Sequence, residues 1–122
     1  MSADEIAKAF TQHYYNQFDT SPDGLAGLFT DASMMTFEGG PLVVGGAAIV
    51  AKIKSFGQVG HQVKNIDVQP SQSPNAICIF VTGAVTLGSP NPIHFCEFIQ
   101  LVSTGNNNYH IHNCIFRLNY GL

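Results

Sequence analysis

The stretch SADEIAKAFTQHYYNQFD, residues 2–19, sets the start of the fold. Ser2 and Glu5 have the spacing of a capping box, in which two side chains satisfy free backbone amides at the first turn of a helix. Behind them, large apolar residues recur at every fourth position: Ile6, Phe10, Tyr14 and Phe18. This period predicts an amphipathic helix of about four turns that is buried along one side.

Two shorter helices are predicted further along the chain. The turn residues Ser21–Gly24 end the first helix, and the apolar residues after them indicate a short second helix that closes near Asp31. The segments Met34–Phe37 and Leu42–Val44 read as short extended pieces. Ala47–Phe56, which lies between pairs of glycines, has the apolar spacing of a third helix.

The second half of the chain is typical of strands joined by turns. The predicted strands are His61–Gln69, Ala76–Leu87, Ile93–Ser103 and Tyr109–Leu118. A strong hairpin signal at Thr104–Asn108 joins the last two. Helices followed by a run of antiparallel strands indicate an α+β fold with the helices on one face of a sheet. The length of 122 residues predicts one domain over residues 1–122.

Composition narrows the classes of partner. The net charge is −3, and no run of basic residues is present, which argues against a nucleic-acid partner. No apolar run approaches the roughly 20 residues of a membrane helix, and the opening residues are unlike a signal peptide. Three cysteines without a CxxC motif are expected to be free thiols in a reducing compartment. We therefore expect a soluble intracellular protein.

Strict alternation places the residues of the last strand in two rows. One row contains His110, His112, Cys114, Phe116 and Leu118, and the other contains Tyr109, Ile111, Asn113, Ile115 and Arg117. Neither row is purely polar, as expected for a sheet covered by helices on one side and by a second subunit on the other.

Five segments together resemble the nuclear transport factor 2 family. They are residues 10–19, 28–33, 36–39, 46–52 and 113–118. Their order and spacing match the family over nearly the whole chain, which is more specific than any single motif. The resemblance implies a cone-shaped α+β fold, with three N-terminal helices packed on a curved, mainly antiparallel sheet. It also implies a hydrophobic cavity at the open end and a homodimer formed through the sheets.

The same resemblance implies a carrier without catalysis. Members of the family bind the GDP form of the GTPase Ran and import it into the nucleus. Their cavity accepts an aromatic side chain of Ran, an acidic rim pairs with basic residues of Ran, and apolar slots bind Phe-rich nuclear-pore proteins. The expected locations are therefore the cytoplasm, the nucleus and the nuclear pore.

By position, the resemblance implies a Ran-binding site of seven residues: Phe37, Glu38, His61, Asn91, Ile115, Phe116 and Arg117. Phe37 stands at the cavity wall where the family usually has Trp, and Glu38 and His61 stand at the rim. Ile115 and Phe116 match the cavity lining, with Arg117 beside them. Asn91 departs from the family, which has Asp in this loop. The chain also lacks the Trp that helps to form the slot for pore proteins.

Two other functions are also compatible with the sequence. The fold also hosts isomerases and dehydratases, for which Tyr14, Asp19, Asp31 and His61 are candidate acid–base residues by type. The chain could instead be a module that heterodimerises with an RNA-export factor.

Nucleotide and metal sites are not expected. The glycines at positions 39, 40, 45 and 46 are not followed by the Lys-Ser or Lys-Thr of a phosphate loop. His110 and His112 share a row with Cys114, but a straight strand spaces the three too widely to converge on one metal. We therefore predict no cofactor.

Overall fold

A computed structural model describes residues 2–120. Helix α1 spans Ala3–Thr20, a 3₁₀ helix spans Pro22–Leu28, and helix α2 spans Gly46–Lys54. The strands are β1 Phe29–Phe37, β2 Val43–Val44, β3 Val59–Pro70, β4 Ala76–Leu87, β5 Ile93–Gly105 and β6 Asn108–Asn119. The predicted capping box is confirmed, because the Glu5 amide donates to the Ser2 hydroxyl and the Ser2 amide donates to the Glu5 carboxylate.

The six strands form one curved, open sheet in the order β2-β1-β6-β5-β4-β3. Strands β1 and β6 run parallel, and the other neighbours are antiparallel. The three helices cover one face of this sheet, here called the inner face. The apolar stripe of α1 is buried there, including Phe10, Tyr14 and Phe18. The predicted α+β fold with three helices on a mainly antiparallel sheet is confirmed.

Strand β1 begins earlier than predicted. The 3₁₀ helix ends at Leu28, so the predicted second helix closing near Asp31 was wrong at its end. The buried Ser33 hydroxyl explains the difference: it accepts the Thr30 amide at 2.8 Å and donates to the Ile111 carbonyl at 2.5 Å. This tertiary contact with β6 holds residues 29–33 in an extended conformation.

The hairpin between β5 and β6 forms where the sequence predicts it. Asn106 and Asn107 have φ values of 53° and 61°, the left-handed pair that a type I′ turn requires. Asparagine adopts this conformation more readily than most residues.

A β-bulge in β6 overturns the predicted rows of that strand. Gln100 pairs with Asn113 whereas Leu101 pairs with Ile111, so His112 is an extra residue. Ile111 and Cys114 are consequently both buried on the inner face, although strict alternation separates them. Beyond the bulge, Phe116 faces inward and Ile115 faces outward, where it is 46% exposed.

A carboxylate is buried between α1 and the sheet. Glu97 has no exposed surface, and it accepts hydrogen bonds from the hydroxyl groups of Tyr14 at 3.0 Å and Tyr15 at 2.8 Å. Burial raises the pKa of Glu97 from 4.5 to about 7, although the two tyrosine hydrogen bonds oppose that shift. Cys114 lies close enough for the Glu97 charge to help raise the thiol pKa, after the larger effect of burial.

We expect Glu97 to make the stability of the protein depend on pH. Because its folded pKa is raised, the folded state keeps a proton that the unfolded state has released between about pH 4.5 and 7. Stability should therefore fall as pH rises through this window. A Glu97→Gln variant keeps donor and acceptor atoms for both tyrosines and has no such titration. Relative to it, the native chain should lose about 2–3 kcal/mol between pH 5 and 8. Urea unfolding at several pH values measures the difference, and parallel profiles would contradict the assignment.

Candidate functional site

A cavity of about 190 Å³ opens at one end of the inner face. It lies where α1, β1 and β6 end, where β3 begins, and where α2 leads towards β3. The lining is mainly apolar, with three charged or titratable residues among ten: Phe18, Phe37, Glu38, Lys52, Phe56, Val59, His61, Leu87, Phe116 and Leu118. An apolar recess with a few polar groups is the usual form of a recognition pocket.

Aromatic rings form one wall of the cavity. The Phe37 ring lies 4.8 Å from the Phe56 ring and 5.7 Å from the Phe116 ring, measured between centroids. Phe95 stacks behind Phe116 at 5.6 Å. Such ring pairs add about 0.5–1.5 kcal/mol each beyond the burial of their area. The wall is therefore held by its own packing before any ligand enters.

Glu38 is fixed at the mouth of the cavity by backbone contacts. Its amide donates to the Phe116 carbonyl at 2.9 Å, and its Oε1 accepts the Leu118 amide at 2.6 Å. The residue has a φ of 50°, a left-handed conformation that costs energy outside glycine and is often found at functional sites. Within residues 2–120, Glu38 has no ion-pair partner, and its other carboxylate oxygen remains available to a ligand.

His61 lies at the floor of the cavity, bonded to Asp19 at the end of α1. Its Nδ1 is 2.7 Å from Asp19 Oδ1, and its backbone amide donates to Asp19 Oδ2 at 2.7 Å. The resemblance had placed His61 at the rim. The structure corrects that placement, because only 1% of the side chain is exposed and aromatic rings surround it. The physical reason is the Asp19 carboxylate, which draws the imidazole inward.

Three residues of the predicted site do not line the cavity. Ile115 faces outward because of the β6 bulge, so the structure contradicts its predicted place in the lining. Arg117 is also exposed, and its guanidinium lies over Gly39 in the turn after β1. Asn91 lies in the exposed β4–β5 loop. That loop borders the cavity, since the Gly88 amide donates to the Gln58 carbonyl beside Val59.

Several lining residues were not assigned to the site from the sequence. Phe18 and Phe56 were predicted to be buried on helices, but helical spacing alone does not show which buried rings meet at an open end. Lys52 lies with its Nζ 5.8 Å from the centre of the Phe56 ring, and it adds a cation to the lining. Val59, Leu87 and Leu118 are ordinary apolar strand residues in the sequence, and no motif marks them as part of a cavity.

The candidate acid–base residues separate into two groups. Asp19 and His61 meet at the cavity floor, whereas the Tyr14 hydroxyl is bonded to Glu97 and Asp31 is exposed on β1. The structure therefore assembles a histidine–carboxylate pair without the other two residues.

The bulge at His112 also separates the row of His110, His112 and Cys114, so these residues do not share one face as predicted. Among residues 2–120, no three His, Cys, Asp or Glu side chains gather at metal-binding distances. None of the three helices in that range is both long enough and apolar enough to span a bilayer.

Comparisons with known proteins agree with this fold. A sequence model of the nuclear transport factor 2 domain matches residues 6–118. The chain is 42% identical to nuclear transport factor 2 of Oryza sativa subsp. japonica over 99% of this chain and 100% of the relative. It also resembles the structure of nuclear transport factor 2 from Cryptosporidium parvum, with a TM-score of 0.86, 38% identity, and coverage of 96% and 94% of the two chains.

An apolar cavity with a carboxylate at its mouth thus opens at one end of an α+β fold. The chain belongs to the nuclear transport factor 2 family. More distant structures share the fold alone, among them a putative scytalone dehydratase from Novosphingobium aromaticivorans at 14% identity, with a TM-score of 0.77 and coverage of 94% and 83% of the two chains.

Proposed function

We propose that this chain is a non-enzymatic carrier that binds Ran in its GDP form and Phe-rich nuclear-pore proteins, and so imports Ran into the nucleus. Nuclear transport is the general role given by the name of the family to which the chain belongs. The observation that supports Ran as partner is the apolar cavity with the Glu38 carboxylate fixed at its mouth. We place the carrier in the cytoplasm, the nucleus and the nuclear pore.

An aromatic anchor flanked by a basic residue suits this site. The ring would be buried among Phe37, Phe56 and Phe116, which is how interface hot spots gain most of their energy. The basic neighbour would meet the available oxygen of Glu38. Selectivity for GDP would arise because the switch regions of a GTPase rearrange with its nucleotide, and so present the anchor in one state only.

Isomerase or dehydratase activity is the second candidate. It is favoured by the Asp19–His61 pair, since a carboxylate that orients an imidazole is a common general-base arrangement. The close relatives carry the name of a transport factor, and they favour the carrier.

The outer face of the sheet supports a homodimer. Phe80, Phe98 and Ile115 pair across three neighbouring strands and form a row, here called the outer row. Phe80 is 41% exposed and Ile115 is 46% exposed. An apolar row on the face opposite the helices is unusual for a monomer, and a second copy of the chain would cover it.

The Ran site is tested by changing the charge of Glu38. Calorimetric titration of the native protein should show micromolar or tighter binding to Ran-GDP and none to Ran-GTP. Glu38→Gln keeps an acceptor for the Leu118 amide and removes the charge, so affinity should fall about tenfold. Glu38→Lys places like charges together and should abolish binding while the circular dichroism stays native. Normal binding by Glu38→Lys, or equal binding to both nucleotide forms, would refute the proposed site.

Asn91→Asp should strengthen binding to Ran-GDP. The Gly88–Pro92 loop beside the cavity has no acidic residue, and an added carboxylate would attract basic residues of Ran. A gain of about threefold to tenfold is expected, mainly in the association rate and larger at low salt. Asn75→Asp is a matched control, because it lies at the opposite end of β4. Equal effects of the two variants in stopped-flow kinetics would show that only net charge matters.

Ile115→Glu should dissociate the dimer. Four carboxylate oxygens per dimer would enter an apolar interface without partners, at a cost of several kcal/mol. Sedimentation velocity should give twice the 13.1 kDa chain mass for the native protein and the single mass for the variant. His13→Glu, on the exposed side of α1, is the control and should remain dimeric. A dimeric Ile115→Glu protein would place the interface elsewhere.

A further inference from the structure

One buried nitrogen at the cavity floor has no hydrogen-bond partner. His61 Nε2 is shielded from solvent, and within the described residues it contacts no donor or acceptor. The other ring nitrogen, Nδ1, is 2.7 Å from Asp19 Oδ1. Buried polar atoms are nearly always paired, so this unpaired nitrogen, in a residue that lines the cavity, is a candidate partner for a polar atom of a ligand.

The surroundings of His61 are aromatic. Four rings have their centroids within 6.3 Å of the imidazole: Tyr15, Phe18, Phe95 and Phe116. Two of these, Phe18 and Phe116, line the cavity together with His61. The cavity has a volume of about 190 Å³. An apolar cavity of about 150 Å³ is enough to hold benzene, so this one has room for a single substituted ring.

The Asp19 carboxylate determines what Nε2 can bind. An ionised carboxylate only accepts hydrogen bonds, so Nδ1 must carry the proton that points to Asp19. Nε2 is then a bare acceptor in the neutral imidazole and a donor in the imidazolium. A carbonyl oxygen pairs only with the imidazolium. A hydroxyl group can donate to the first form and accept from the second, so it suits both.

We propose that the cavity binds a single aromatic ring that carries a phenolic hydroxyl, with the hydroxyl on His61 Nε2. Because Nε2 is shielded from solvent, binding requires neighbouring side chains such as Phe18 or Phe116 to move aside. The ring fills the apolar space, and the hydroxyl satisfies the unpaired atom. This site does not depend on Ran, although a ligand in it would compete with any aromatic anchor that enters the same cavity. The phenol can belong to a free small molecule or to a tyrosine side chain.

The test compares p-cresol with toluene on the full chain, without Ran. The two molecules differ by one hydroxyl group. In an apolar cavity without a partner, the hydroxyl would weaken binding, because it would lose its hydrogen bonds to water. With Nε2 as partner, p-cresol should bind about fivefold more tightly than toluene. The dissociation constants are measured by NMR chemical-shift titration. The His61 Nε2 resonance should shift when p-cresol is added and should not shift when toluene is added.

His61→Phe reverses the expected preference. The phenylalanine ring retains aromatic packing, and the amide of residue 61 can still donate to Asp19. Toluene should bind this variant about tenfold more tightly than p-cresol. His13→Phe makes the same substitution at an exposed histidine and should keep the native preference. A native preference for toluene, or the same ratio in the native protein and in His61→Phe, would overturn the proposal.

A further ligand distinguishes the two sources of the phenol. N-acetyl-tyrosinamide carries the same ring on a peptide backbone. Binding of both p-cresol and N-acetyl-tyrosinamide supports a tyrosine side chain of a partner, whereas binding of p-cresol alone supports a free small molecule. Because Ran is absent from every titration, a failure here leaves the carrier function untouched. Loss of Ran binding in Glu38→Lys is likewise independent of this result.

Discussion

The cavity depends on the attachment of helix α1 to strand β3 through Asp19. One carboxylate accepts two short hydrogen bonds from His61, one from the backbone and one from the ring. Hydrogen bonds to a charged acceptor are about twice as strong as neutral ones. They fix the end of α1 above the start of β3, and with it the position of Phe18 against the imidazole. Without this link, the open end of the cone would lack a defined floor.

The mouth of the cavity is held in a comparable way at the junction of β1 and β6. This is the parallel pair of the sheet, and Glu38 extends it by bonding to the backbone of Phe116 and Leu118. The left-handed φ of Glu38 is a strained conformation, which those two contacts stabilise. As a result the carboxylate is oriented before a ligand arrives, and less conformational entropy is lost on binding.

Local features of the fold were predictable, whereas long-range pairings were not. The capping box at Ser2 and the β4 bounds at Ala76 and Leu87 follow from side-chain chemistry and apolar runs within short windows. The β6 bulge depends on pairing with β5, and one extra residue at His112 reverses the direction of every later side chain. The resemblance placed both Ile115 and Phe116 in the lining, but adjacent strand residues face opposite sides, and beyond the bulge only Phe116 faces the cavity.

The residues of the candidate site show the same contrast between what the sequence predicts and what depends on long-range contacts. Phe37, Glu38 and His61 were named through the family resemblance, and all three line the cavity. The bond between Asp19 and His61 joins residues 42 positions apart, and no local pattern reports such a contact. Glu97 is similar, because an isolated glutamate in a strand normally reads as solvated, and only the two tyrosines of α1 explain its burial.

Strand β6 contributes side chains to functional regions on both faces of the sheet. Phe116 forms part of the cavity wall, and its neighbour Ile115 belongs to the outer row that we assign to the dimer. Adjacent residues of a strand point to opposite faces but share a backbone, and the backbone carbonyl of Phe116 is the acceptor that holds Glu38. Packing of a second subunit against Ile115 would therefore restrain the same segment that shapes the cavity mouth. On this argument a homodimer would support the proposed recognition site, although its interface would lie on the other side of the sheet.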